Sequence, residues 1–155
     1  MKKRIYVVSL IFFLIDLISK ILILNHNNYP LTIINNFFYI DKVTNEGAAF
    51  SSFTGYQAVL ILIALVVLIF INKNMIKDIK TNLGMISISM LIGGILGNLF
   101  DRIVYNKVID FLSFKLSNYM FPIFNLADTF ICIGIILLII DYIRGEKNEN
   151  HSNPK

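Results

Sequence analysis

The stretch Phe121–Ile140, FPIFNLADTFICIGIILLII, reads as the start of a membrane helix with a carboxylate, Asp128, about one turn inside it. Lipid offers a carboxylate no water, so an ionisable side chain at such a place marks a functional candidate. The rest of the chain supports a lipid solvent. It has 155 residues, of which 56% are hydrophobic, and a mean hydropathy of +0.70. That is too apolar for a soluble domain of this size. The length allows one compact domain with short loops.

Four segments are long and apolar enough to span, at about Ile5–Leu24, Tyr56–Ile71, Leu83–Val104 and Asn125–Ile143. A helix of roughly 20 residues crosses the hydrocarbon core. The second segment is slightly short, and Ser51–Gly55 could supply a further turn. The N-terminus, MKKRIYVVSLIFFLI, has the basic start of a secretory signal. Asp16 and Lys20 interrupt its apolar run, however, and the following ILNHNN offers no small-residue cleavage site, so it reads as a retained helix.

Orientation follows from Lys and Arg. Lys2, Lys3 and Arg4, then Lys73, Lys77 and Lys80, then Arg144, Lys147 and Lys155 all fall on one side if four helices alternate. The opposite loops hold Lys42, Lys107 and Lys115. The positive-inside rule then places both termini in the cytoplasm. The tail, residues 145–155, is polar and reads as disordered, which leaves residues 1–144 as a single membrane domain. Outside, residues 29–53 are rich in β-branched and aromatic types and suggest a small sheet on the membrane surface. The stretch YNKVIDFLSFKLSNYMFPI suggests a short amphipathic helix before Pro122.

In this topology the polar residues gather at one depth. Asp16 and Lys20 lie in the outer half of the first span and share a face. Asn98, Asp101 and Arg102 lie near the outer end of the third. Asn125 and Asp128 occupy the first outer turn of the fourth, and Asn45 and Asp110 lie in outer loops. Each has a structural explanation. Asp16 can pair with Lys20, Asp101 with Arg102, and Asp141 with Arg144 at the inner end. Asn125 can cap a helix whose dipole favours Asp128. Gly93, Gly94 and Gly97 allow close helix packing.

Two carboxylates, Asp110 and Asp128, have no basic neighbour in sequence. Two carboxylates brought together cannot both ionise cheaply, so the pair holds one proton. This is the chemistry of an aspartic peptidase. The ionised member takes a proton from water, and the protonated member donates to the developing oxyanion. The single Cys132 lies in an apolar run, and His26 and His151 stand in polar segments. Zinc chemistry and a Ser-His-Asp triad therefore have no support, and no cofactor, metal or nucleic acid is implied.

The stretches DLISK (Asp16–Lys20), TNEGAAFS (Thr44–Ser51), GGILGNLFDR (Gly93–Arg102), VIDF (Val108–Phe111) and FNLAD (Phe124–Asp128) occur in order around the four spans. Together they make a specific pattern, and along nearly its whole length the chain resembles the lipoprotein signal peptidases, or signal peptidase II. The resemblance implies a multi-pass bacterial membrane enzyme with four membrane helices, a small outer β-cradle and a short outer helix. It implies cleavage of prolipoproteins just before a cysteine that already carries diacylglycerol. It maps the catalytic pair onto Asp110 and Asp128. It maps supporting or substrate-binding roles onto Asp16, Lys20, Asn45, Gly47, Asn98, Asp101, Arg102 and Asn125. It also implies inhibition by the cyclic peptide globomycin and contact with membrane lipid. A monomer would suffice. Rival readings are a small proton-coupled transporter and a non-catalytic membrane assembly protein. The gathering of ionisable residues at one face argues against the first, and the unpaired Asp110 and Asp128 argue against the second.

Overall fold

The computed structural model describes residues 1–47 and 56–152. Among the described residues four helices are long and apolar enough to cross a membrane, the second when counted on to Asp78. They are α1 (Lys2–Asn25), α2 (Gln57–Phe70), α3 (Asn82–Tyr105) and α4 (Leu126–Ser152). A sheet of four antiparallel strands lies at one end, in the order β1 (Leu31–Ile34), β2 (Phe38–Asn45), β3 (Val108–Leu116) and β4 (Tyr119–Met120).

The chain extends α2 at its C-terminal end. A π-helical turn, Ile71–Met75, and a 3-10 turn, Ile76–Asp78, carry the span on to Asp78. The extra turn expected from Ser51–Gly55 lies outside the described residues, as does the part of the expected outer β segment beyond Gly47. At the other chain end α4 continues to Ser152, over residues read as a disordered tail. Once a helix is nucleated, each further residue costs little, and Glu146, Lys147 and Glu149 are good helix formers.

The stretch expected to hold a short outer helix is instead β3, and no such helix occurs among the described residues. Two features decide this. Asn106 takes the left-handed conformation (φ 56°) and ends α3. Beyond it, Val108, Ile109, Phe111 and Phe114 favour a pleated surface, and the strand pairs with a neighbour on each side.

Helix α3 is the buried centre of the bundle. Ile88, Leu91 and Ile92 pack with Ile5, Ile71 and Ile76 at the end away from the sheet. Towards the sheet, Gly94 lies against the Ala127 backbone of α4, and Gly97 lies against Asp16 and Ala127. Side chains at these positions would push α1 and α4 away. Under the sheet, Ile23, Ile109 and Phe111 form a second buried cluster.

Candidate active site

The bulge in the sheet sets the position of Asp110. In β2, Ile40 faces Leu112 and Val43 faces Asp110, so Asp41 and Lys42 together oppose the single residue Phe111. Regular pairing would put Lys42 opposite Asp110. The extra residue puts the neutral Val43 there instead, and Lys42 turns its ammonium to the Leu24 carbonyl at 3.1 Å. The shift also places Asn45 on the Asp110 face, diagonally across the ladder. Its amide donates to Asp110 Oδ2 at 3.1 Å.

Asp128 is set by the start of α4. Asn125 Oδ1 accepts from the Asp128 N–H at 2.9 Å, and Asp128 Oδ2 accepts from the Asn125 N–H at 3.3 Å. This is a reciprocal N-terminal cap. The segment just before it is clipped to β3, because the Phe124 carbonyl accepts from Phe111 and Leu112 at 3.0 and 2.7 Å. Phe124 also stacks on Phe114, which stacks on Phe38. The strand that carries Asp110 and the helix that carries Asp128 are thereby joined.

The two carboxylates share one amide network. Asn125 uses both hydrogens of its side-chain amide, one on Asp110 Oδ1 at 2.7 Å and one on Asn98 Oδ1 at 3.1 Å. Asn98 in turn donates to Asp128 Oδ1 at 2.7 Å. Lys20 anchors the network from below. Its ammonium lies 2.8 Å from Asp16, 2.9 Å from Asp101 and 3.1 Å from Asn98 Oδ1. That uses its three donors. Asp16 and Asp101 each take a backbone N–H as well, from Ala127 at 2.9 Å and Ile109 at 3.2 Å. All three charged groups of this cluster are at most 1% exposed.

The expected pairing of Asp16 with Lys20 is present. Asp101, expected beside Arg102, pairs with Lys20 instead. Neighbours in a helix point about 100° apart and cannot face each other. Arg102 reaches back to the Asn98 carbonyl at 3.2 Å and across to the Gly47 carbonyl at 3.3 Å, holding the end of β2 against α3. Gly47 is further fixed by its N–H on Asn45 Oδ1, at 2.9 Å. Asp141 lies at the far end and accepts from Thr81, the N-cap of α3, at 2.6 Å. Its expected partner, Arg144, forms none of the ion pairs among the described residues.

Asp110 is 3% exposed. Burial, then the nearby Asp128 charge, pushes its carboxyl up from 3.8 to about 6. The amides of Asn45 and Asn125 pull the other way without cancelling the shift. Each Asp110 oxygen accepts one amide hydrogen and keeps a second lone pair, so the group can carry a proton without breaking its bonds.

Both carboxylates open onto a cavity of about 670 Å³. Asn45, Asn98 and Arg102 complete its polar side. Phe121, Pro122, Ile123 and Phe124 form an apolar side. Ile131, Cys132 and Ile133 of α4 extend that side and were not foreseen. Their signal was spacing, since they lie three to five residues after Asp128, on the next turn of the helix. The site can hold one proton between two carboxylates, beside an apolar wall that suits a hydrophobic substrate.

The chain is similar to known proteins along nearly its whole length. The model of the family described as signal peptidase (SPase) II matches residues 8–144. A lipoprotein signal peptidase of Neisseria meningitidis serogroup B is 36% identical over 154 residues, covering 96% of this chain and 93% of its own. One from Bacillus pumilus is 33% identical over 155 residues, covering 95% of this chain and 97% of its own. A bacterial membrane enzyme solved by the in meso method at 2.3 Å resolution superposes with a TM-score of 0.86 at 29% identity, covering 100% of this chain and 96% of its own.

Proposed function

The chain belongs to the signal peptidase II family, as a multi-pass bacterial membrane peptidase of the aspartic type, and on that premise we propose that Asp110 and Asp128 are its catalytic pair. The observation that carries this is the shared Asn98–Asn125 amide network, which binds both carboxylates at the polar side of an apolar-walled cavity. Asp128, oriented by Asn98, takes the proton from the attacking water. Asp110, with the raised pKa, donates its proton to the carbonyl oxygen; as the C–N bond breaks, Asp128 passes the proton taken from water to the leaving amine and Asp110 takes one back from the tetrahedral hydroxyl. Asn45 and Asn125 orient Asp110. Arg102 and Gly47 close the side of the site, and Lys20 with Asp16 and Asp101 holds α1, α3 and α4 in register beneath it.

The substrate is a lipoprotein precursor. The finer proposal is that its cysteine already carries diacylglycerol and that the bond just before this cysteine is cut. Acyl chains anchored in the bilayer, at roughly 0.8 kcal/mol per buried methylene, would confine the scissile bond to the plane of the dyad. Phe121, Ile131 and Ile133 would form the surface they rest on. Residues 1–144 act as one peptidase unit and as a monomer, since a single chain supplies every group named. Both termini are cytoplasmic and the dyad faces outwards. A transporter or assembly role gives no use to a dyad beside an apolar cavity.

The test is a side-by-side digest, by purified protein, of a lipidated precursor and the same sequence with an unmodified cysteine, with and without globomycin. Cleavage of the lipidated form alone, blocked by globomycin, is expected. Equal cleavage of both forms would remove the lipid-positioning idea. Cleavage by Asp110→Asn or Asp128→Asn would remove the dyad.

A further inference from the structure

A second cavity, of about 430 Å³, opens between the start of α1 and the irregular end of α2. It lies at the end of the bundle opposite the dyad, since Lys2 and Lys20 are 18 residues apart on α1, or roughly 27 Å. Lys2, Lys73 and Lys77 line it, and no acidic residue does. None of these lysines has an ion pair among the described residues, where both pairs belong to Lys20. Asp78 is next in sequence but does not line the cavity.

The remaining lining is also informative. Asn72 accepts from the Tyr6 hydroxyl, which braces α1 against the π-helical turn and leaves the Asn72 side-chain NH2 as a donor. Single π-helical turns within helices often mark sites. Ile76, which is buried, and Ile79 give the cavity an apolar part. Beside it, Val7 of α1 and Phe70 of α2 are exposed on the flanks of the spans, where lipid chains run. Topology alone requires basic residues at this end. It does not require that they surround a cavity with an apolar part and an amide donor.

We propose that this cavity binds the phosphate of one anionic phospholipid, with its acyl chains along the outer faces of α1 and α2. Basic pockets between membrane helices suit such head groups. Lys73 and Lys77 supply charge, Asn72 a hydrogen bond, and Ile76 and Ile79 the contact with the glycerol end of the chains. The apolar part distinguishes a lipid from free phosphate.

The experiment titrates phosphatidylglycerol into the full-length protein in a zwitterionic detergent and counts bound lipid by native mass spectrometry. Each lysine near the surface contributes roughly fivefold, so Lys73→Gln/Lys77→Gln should weaken binding by ~25-fold. Lys77→Gln alone should weaken it by roughly fivefold and serves if the double variant does not fold. Lys80→Gln, in the same loop but outside the cavity, should bind as the parent does. Inorganic phosphate at millimolar concentration should displace little lipid. Equal binding by the parent and Lys77→Gln would overturn the proposal. So would an equal loss in Lys80→Gln, which would indicate diffuse charge, or full displacement by inorganic phosphate, which would indicate a soluble anion.

Discussion

Replacing Asp110 by Asn should make the protein inactive and, at high pH, relatively more stable. In the fold the Asp110 carboxyl sits at about 6 against 3.8 for the free group. The stabilisation of its protonated form is therefore fully present below about pH 3.8 and lost as pH rises through 6. Above that range the parent carries about 3 kcal/mol of unfavourable ionisation, at ~1.4 kcal/mol per unit. About 2 kcal/mol of this accrues between pH 4.5 and 8. Asn has no such dependence. It can still accept from Asn125, but its own NH2 meets the Asn45 amide, so one hydrogen bond is lost at about 1–3 kcal/mol. That loss is independent of pH. The absolute order of the two proteins thus depends on the lost bond, but the trend does not. Between pH 4.5 and 8 the melting temperature of Asp110→Asn should rise by about 4–8 °C relative to the parent. The assay is thermal unfolding of both proteins in one detergent across that range, with cleavage measured in parallel. A difference that stays constant with pH would refute the raised carboxyl, and with it the choice of Asp110 as proton donor.

Lys20→Met leaves Asp16 and Asp101 buried without a cation. Breaking a buried pair costs about 3–5 kcal/mol, so melting should fall by roughly 6–20 °C, and an unchanged melting point would show that the triad bears no load. Gly97→Ala would place a methyl group on the Asp16 carboxylate; a loss of about 1–3 kcal/mol is expected. Gly145→Ala, with open space around it, is the silent control, and equal melting of the two variants would contradict the packing. In a Cys132→Ser background, cysteines at Lys42 and Lys115 should react with an impermeant thiol reagent on intact cells, and those at Lys77 and Lys147 only after lysis; labelling at Lys77 from outside would invert the topology.

The four spans were legible because length and hydropathy suffice where lipid is the solvent. Asp110 and Asp128 were legible as candidates by subtraction, since each other carboxylate at that end of the bundle has a nearby base in sequence. The partners of those other carboxylates were less so. Asp101 and Arg102 are adjacent, yet adjacency on a helix separates side chains, and Lys20 comes to Asp101 from another helix. Reading a short helix within YNKVIDFLSFKLSNYMFPI failed because its apolar residues fit both periods, and only pairing with β2 decides between them. The bulge at Asp41–Lys42 left no sequence signal at all, because both residues are ordinary for an edge of a sheet. The apolar side of the cavity was half legible. FPIF stands beside the dyad in sequence, whereas Ile131 and Ile133 join it only through the turn of α4.

The bulge gives β2 a sensitivity to residue number rather than residue type. Asp41 touches nothing in the site beyond the local bond from its own side chain to the Lys42 N–H, and many side chains could replace it. Removing position 41 would only straighten the strand, with Lys42 opposite Phe111 and with Val43 and Asn45 still in register. Removing Val43 is a different event, because the straightened ladder would then put Lys42 opposite Asp110. An ammonium beside the carboxyl would drive off the proton that peptide cleavage needs. Deletion of Val43 should therefore be lethal where its substitution by another neutral residue is tolerated, and deletion of Asp41, which leaves Val43 opposite Asp110, should be tolerated as well. A library of single-codon deletions through Phe38–Asn45, scored beside a substitution scan of the same codons, would display that contrast directly.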